Sequence, residues 1–451
     1  MTPMKLHGTS HINEKGHLTI GGCDTVELAA QFGTPLYVLD EQLIRERCRA
    51  YVAAFRQANV DFQVAYASKA MSTLAICRLI EEEGLALDVV SDGELYTALQ
   101  AGFPPERIHF HGNNKSLAEL TMALDANIGG IVVDNFTELH MLRTLASERQ
   151  QHVHILLRLS PGVEAHTHAY IQTGQEDSKF GFDLASGQAA KAVEICQRSP
   201  EISLLGFHSH IGSQIFDVQG YRMTIRKLAQ FSQECYESYG HVSEVVNIGG
   251  GFGIHYCEGD KPLTAERYIE AIVAEVRASF THQPLPAIWI EPGRSIVGEA
   301  GTTLYRVGTE KRIPGIRHYV AVDGGMADNP RPALYQAKYA ALVANKAGKP
   351  ATQTVSIAGK CCESGDMLIW DVALPDLAQG DVLAVLSTGA YNYSMASNYN
   401  RLRRPAAVLV NDGNADVIVQ RETFADLTRH DVIPARLQKP TTVSPEVADI
   451  K

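Results

Sequence analysis

Phe62-Gln63-Val64-Ala65-Tyr66-Ala67-Ser68-Lys69-Ala70 is a short apolar run closed by a polar turn that carries a lysine. A lysine at the end of a buried strand sits in low dielectric, where the neutral amine is favoured. Such an amine forms a Schiff base with an aldehyde, as enzymes do to hold pyridoxal phosphate. Alone the pattern is weak, because strand-end lysines are usually only solvated. Seven further runs of the same kind follow, at 86–91, 108–112, 129–134, 152–159, 204–211, 244–248 and 287–291. Amphipathic stretches lie between them, at 73–83, 116–126, 135–148 and 221–236, with Ser116 and Asn135 where helix N-caps belong. Strands alternating with helices imply a parallel sheet, and eight such units imply a (β/α)8 barrel. Strand counting alone leaves an open doubly wound sheet in play. The barrel is favoured because the chemically loaded residues nearly all sit at the ends of runs, where barrel enzymes keep their sites.

Past residue 304 helical periodicity thins, and strand-like runs appear at 317–322, 354–358, 382–386, 406–410 and 415–420. Residues 16–20 and 35–39 have the same character. The expected architecture is therefore a barrel over 45–304 inserted into a second, mostly antiparallel β domain built from 1–44 and 305–451. The tail after His430 is expected to be a surface segment.

A chain of 451 residues with 45% hydrophobic content can bury more than one core. Its net charge of −11 argues against nucleic acid or an anionic membrane as partner. No basic and apolar leader is read at the start, and no run of about 18 apolar residues could span a bilayer. Eight cysteines without a CxxC pair suggest neither disulfides nor zinc, so a reducing cytoplasm is expected.

Three clusters carry chemistry. Gly249-Gly250-Gly251-Phe252-Gly253 follows the seventh run, and barrel phosphate sites form at strands seven and eight. Glycines there would let main-chain N–H groups converge on an anion. Glu291-Pro292-Gly293-Arg294 follows the eighth run. Its carboxylate would hold a pyridine nitrogen protonated, or else pair with Arg294 to close the barrel. His208-Ser209-His210-Ile211-Gly212-Ser213-Gln214 ends the sixth run, with both histidines on one strand face. They would form half of a metal site, or one would stack on a cofactor ring with Ser213 near a phosphate. No third ligand with suitable spacing is apparent, so stacking is preferred and no metal is expected.

These motifs, in this order, resemble the fold-type III pyridoxal-phosphate decarboxylases. His111-Gly112-Asn113-Asn114-Lys115, the stretch 177–182, Arg331-Pro332-Ala333-Leu334-Tyr335, Cys362-Glu363-Ser364-Gly365-Asp366 and Gly389-Ala390-Tyr391-Asn392-Tyr393 match as well. The resemblance runs from Gly33 to about Pro405 and implies pyridoxal phosphate as cofactor. It implies that Lys69 holds the cofactor, His210 stacks on its ring and Glu291 pairs with its nitrogen. Ser213, Gly249, Gly250, Gly251, the main chain of Gly293 and Arg294, and the Tyr391 hydroxyl would bind its phosphate. Arg294, Arg331, Tyr335 and Tyr391 would meet the unreacting end of the substrate. Cys362, as the acid, and Glu363 would come from a partner subunit, making a homodimer with shared sites.

Two guanidinium groups suit a distal carboxylate, and Glu363 a distal ammonium. Ornithine or lysine, with only an ammonium there, would leave buried cations unpaired. The implied reaction is decarboxylation of meso-2,6-diaminopimelate to L-lysine. A relative acting on another carboxylate-bearing conjugate would differ in the distal pocket. A racemase would need a second base, and a non-catalytic cofactor carrier would have lost Lys69 or Cys362. Three departures stand out: Pro330 before Arg331, Asn392 where glycine is common, and Cys361 beside Cys362, of which one should be structural.

Overall fold

The computed structural model describes residues 5–163 and 178–438. Asp177 of the 177–182 stretch and the end of the expected surface tail lie outside them. All eight runs are strands of one parallel sheet: Phe62–Ala67, Ala86–Val89, Ile108–Phe110, Gly130–Val133, Val153–Ser160, Ile202–His208, Val245–Asn247 and Ala287–Ile290. The eighth pairs back onto the first through Ile288 with Phe62, Trp289 with Gln63 and Ile290 with Val64. That closure makes a barrel and removes the open sheet. Several runs outlast their strands: Ser209, His210 and Ile211 have left the ladder after His208. The helices between the strands start on side-chain caps, with Thr73, Ser91, Ser116 and Asn135 each accepting a backbone N–H. Ser116 and Glu119 form a capping box. Val132, Leu156 and Val245 form a small apolar cluster with Trp289 packed against them.

Gly301–Ile313 leaves the barrel directly and forms the spine of the β domain. It pairs antiparallel with Leu36–Asp40, Val382–Leu386 and Arg317–Val322. Leu36–Asp40 also pairs, in parallel, with Ala406–Asn411, so the two chain ends share one sheet around the inserted barrel. Three strands of this sheet escaped the sequence reading: Gly301–Ile313, Ala341–Val343 and Met367–Leu374. Charged Glu310, Lys311 and Arg312 mask the first, and a register shift breaks the alternation of the last. The 16–20 run differs from expectation. Its strand, Leu18–Ile20, joins a separate small sheet with His11–Ile12 and Cys23–Asp24.

Candidate active site

A cavity of about 380 Å³ opens at the C-terminal ends of the barrel strands. Lys69 lines it from a single 3-10 turn, Ser68–Ala70, one step past the first strand. Ser68 donates to Glu94 (2.6 Å) and the Ala70 carbonyl accepts from the Tyr391 amide (2.8 Å), which fixes the turn. The lysine is exposed to the cavity and not dehydrated. This departs from the strand-end expectation, because the turn lifts the side chain off the strand between buried neighbours.

Glu291 lies at the inner wall. Asn247 Nδ2 donates to it (2.6 Å), His208 Nε2 is 3.1 Å away and His111 Nε2 3.4 Å away. Burial would raise its carboxyl, but His208 and His111 outweigh that and hold it well below the usual range. His111, itself raised despite burial by Glu291 and Asp88, approaches Asp88 Oδ1 to 3.4 Å. The Asp88 Oδ1 and His111 Nε2 atoms have no hydrogen-bond partner among the described residues. His111, His208 and Glu291 bring ligand-type atoms within 4.8 Å of one another. Of the histidine pair weighed from the sequence only His208 belongs to this group; His111 and Glu291 reach it from the ends of two other strands, and His210 is not part of it.

The histidines of the sixth strand divide roles. Both line the cavity, but His208 is fully buried against Glu291 whereas His210 is half-buried. Gly250 N–H donates to His210 Nδ1 (3.2 Å), which leaves the proton on Nε2. Burial, then Lys69 and Arg158, push this imidazole well below its ordinary value, so it is a neutral flat surface. The glycine turn departs from its expected role. Gly249 N–H goes to Asn247 Oδ1 (2.9 Å) and Gly250 N–H to His210, so neither amide is left for an anion. Only Gly251 of the three faces the cavity. The glycines are required because a Cβ at Gly250 would lie 2.1 Å from the Glu291 carbonyl and one at Gly251 2.4 Å from that of Gly212. Ser213, Gly251, Gly293, Arg294 and Tyr391 together line the polar end of the cavity.

Arg331 and Tyr335 ride a one-turn helix, Arg331–Tyr335, capped by Pro330. Pro330 thus stands at the start of the helix that carries Arg331. The Arg331 guanidinium packs 5.7 Å from the Tyr391 ring, behind the cavity wall. Asn392 is buried; its Nδ2 donates to Thr388 O (3.0 Å) and its Oδ1 accepts from Tyr339 (3.3 Å), pinning the Tyr391 loop. Cys361 is buried, with its amide bound to Asp366, while Cys362 and Glu363 are exposed and line no part of this cavity. Asp88, Arg158, Phe180, Asn247 and Tyr256 were missed. Asp88, on the second strand, and Arg158, on the fifth, obeyed the same strand-end rule as Lys69.

The donor set fits pyridoxal phosphate. An amine, a carboxylate held well below its usual range, a neutral ring and a polar end with an arginine and hydroxyls converge on one cavity. The pyridoxal-binding domain of pyridoxal-dependent decarboxylases matches residues 41–298. The diaminopimelate decarboxylase of Bacillus subtilis (strain 168) is 59% identical over 95% of this chain and 98% of its own length. The chain belongs to the diaminopimelate decarboxylase family. A second family member, from Staphylococcus aureus (strain COL), is 47% identical over 94% of the chain and 99% of that relative. The crystal structure of diaminopimelate decarboxylase from M. jannaschii in co-complex with L-lysine is 38% identical, with a TM-score of 0.90 over 95% of this chain and 99% of that one. Diaminopimelate decarboxylases of this kind are lyases, and pyridoxal phosphate is the cofactor of this chain.

Proposed function

We propose that this chain removes CO2 from meso-2,6-diaminopimelate to give L-lysine. The observation that carries the reading is the buried arginine Arg331 beside the cofactor cavity, in a chain 59% identical to a diaminopimelate decarboxylase. Bound pyridoxal phosphate supplies the aldehyde that takes up an amine and the ring that accepts the electron pair left by CO2. Lys69, exposed in the cavity, would hold the cofactor through its aldehyde. Glu291, held well below the usual carboxylate range, would pair with the ring nitrogen, and the neutral imidazole of His210 would serve as the flat surface against the ring. Ser213, Gly251, Gly293, Arg294 and Tyr391 take the phosphate. Arg331 and Tyr335 receive the distal carboxylate, with Arg294 and Tyr391 beside them, and Glu363 takes the distal ammonium. Cys362 delivers the proton to the reacting carbon.

Cys362 and Glu363 are exposed and away from their own chain's cavity, which supports a homodimer whose sites are shared. Apolar side chains left in water support it too: Leu74, Tyr96 and Leu117 around the barrel mouth, and Phe424, Val432 and Ile433 on the β domain. We read 45–304 as the cofactor-binding barrel and 1–44 with 305–451 as the β domain. No described helix is long and apolar enough to cross a membrane, and the cytoplasm is the proposed location. CO2 release should be measured from meso-diaminopimelate, L-lysine and L-ornithine. Release from the first alone is expected; comparable rates from all three would overturn the assignment.

A further inference from the structure

Tyr256 lies three residues past the glycine turn, buried, where two cations meet. Its phenolic oxygen accepts from Arg294 Nη1 (2.5 Å) and from Arg331 Nη1 (2.8 Å). Arg294 comes from the loop after the eighth barrel strand, and Arg331 from the helix in the β domain. One oxygen therefore ties the two units of the site together. Both guanidinium groups also lie near the Tyr256 ring, at 5.7 and 5.5 Å from its centroid. Tyr339 stands edge-on to that ring at 5.3 Å, and its hydroxyl accepts from Arg331 Nη1 at 3.3 Å.

The two arginines are not equivalent. Arg294 uses its other nitrogens, Nε and Nη2, on Ser213 Oγ at 3.2 and 2.9 Å. Every nitrogen of Arg294 is thus engaged. Arg331 uses only Nη1; its Nε and Nη2 donate to nothing among the described residues. Nε and Nη2 form the edge that grips a carboxylate with two parallel bonds. A buried cation with that edge open is costly unless a ligand fills it.

We propose that Tyr256 is a positioning residue for carboxylate recognition: by taking Nη1 of both Arg294 and Arg331, it converges them and leaves the Nε/Nη2 edge of Arg331 for the distal carboxylate of the substrate. This rests on the reading that the substrate carries such a carboxylate. The phenol is suited to the task. Burial alone would make it a weaker acid, but Arg294 and Arg331 outweigh burial and lower its pKa, as expected of an oxygen held between two cations. Without that oxygen the two guanidinium groups share no hydrogen-bond acceptor among the described residues, and only the Tyr391 and Tyr256 ring faces remain common to them.

The test compares two competitive ligands on the holoenzyme. L-Lysine keeps the carboxylate that does not react, whereas 1,5-diaminopentane is the same chain without it. Tyr256→Phe should raise KM for diaminopimelate about tenfold with a smaller effect on kcat, and weaken L-lysine by a similar factor. Inhibition by 1,5-diaminopentane and the cofactor absorbance should stay at wild-type values. Because Tyr256 acts through Arg331, Tyr256→Phe combined with Arg331→Leu should be no worse toward L-lysine than Arg331→Leu alone. Equal weakening of both ligands, independent losses in the double variant, or loss of cofactor from Tyr256→Phe would each overturn the proposal. If wild type released no CO2 from diaminopimelate, the functional reading would fail separately, and the two ligands would still decide the role of Tyr256.

Discussion

Lys69 and Asp328 show how position decides what a charged side chain does. Lys69 stands clear of the barrel core on its 3-10 turn, so its removal costs little packing. Lys69→Ala should therefore abolish the absorbance of bound cofactor and CO2 release while leaving the thermal midpoint within a few degrees of wild type. Retained turnover in that variant would exclude Lys69 as the cofactor-holding residue. Asp328 is buried near Arg331, accepting from the Tyr305 hydroxyl and from Gly325 N–H (2.9 Å). Burial pushes its carboxyl up to about 7, with Asp366 and Asp323 adding to the effect and the two hydrogen bonds opposing it. In the unfolded chain the same group titrates near about 3.9. Between those values the folded chain holds a proton that the unfolded chain has lost. This contribution to stability is full below the unfolded value and disappears as pH rises through about 7. Asp328→Asn cannot titrate, so its stability should fall less between pH 5 and 8 than that of wild type, by on the order of a few kcal/mol. Denaturant titrations at both pH values measure the difference; parallel slopes would show that Asp328 is ionised in the fold.

The turn Gly249–Gly253 illustrates how an element is held from below. Phe252 is buried among Tyr221 (5.4 Å, stacked), Tyr268 (5.0 Å) and Tyr51 (5.3 Å). Tyr221 also donates to the Gly250 carbonyl, 3.0 Å away. Aromatic packing on one side and backbone contacts on the other leave the turn one conformation. Phe252→Ala should cost about 3–5 kcal/mol of stability by leaving a cavity. Because the same turn carries Gly251 at the cavity and binds His210, cofactor affinity should fall as well. Denaturant unfolding paired with cofactor titration separates the two effects. Lost stability with unchanged affinity would mean that the cluster serves the fold alone.

At the scale of the molecule, the chain divides its chemistry between two surfaces. Lys69, Glu291 and the polar end of the cavity lie in the barrel, while Cys362 and Glu363, the residues proposed to serve a partner's site, face outward from the β domain. Mixing inactive Lys69→Ala with inactive Cys362→Ala should restore part of the activity, since a mixed dimer has one site with both residues intact. The measurement is CO2 release after subunit exchange has been shown by mass. Activity that stays at zero would mean that each chain completes its own site.

Sequence alone determined which segments are strands and helices, because backbone preference and polar punctuation act over a few residues. All eight barrel strands and the caps at Ser116 and Asn135 were legible for that reason. So was the cofactor, since each motif that pointed to it is contiguous; Asp88 and Arg158, which lie in no such motif, were not. Gly301–Ile313 and Met367–Leu374 were not, because charge and a register shift hide their alternation. Tertiary structure alone decided that the sheet closes, that Gly250 packs too close to the Glu291 carbonyl to carry a Cβ, with its N–H on His210, and that Asp88 and His111 join the Glu291 wall. It also decided that Glu291 is ionised and that one tyrosine oxygen joins two arginines. Charge state, accessibility and close approach depend on neighbours from distant strands, and no local pattern of residues records who those neighbours are.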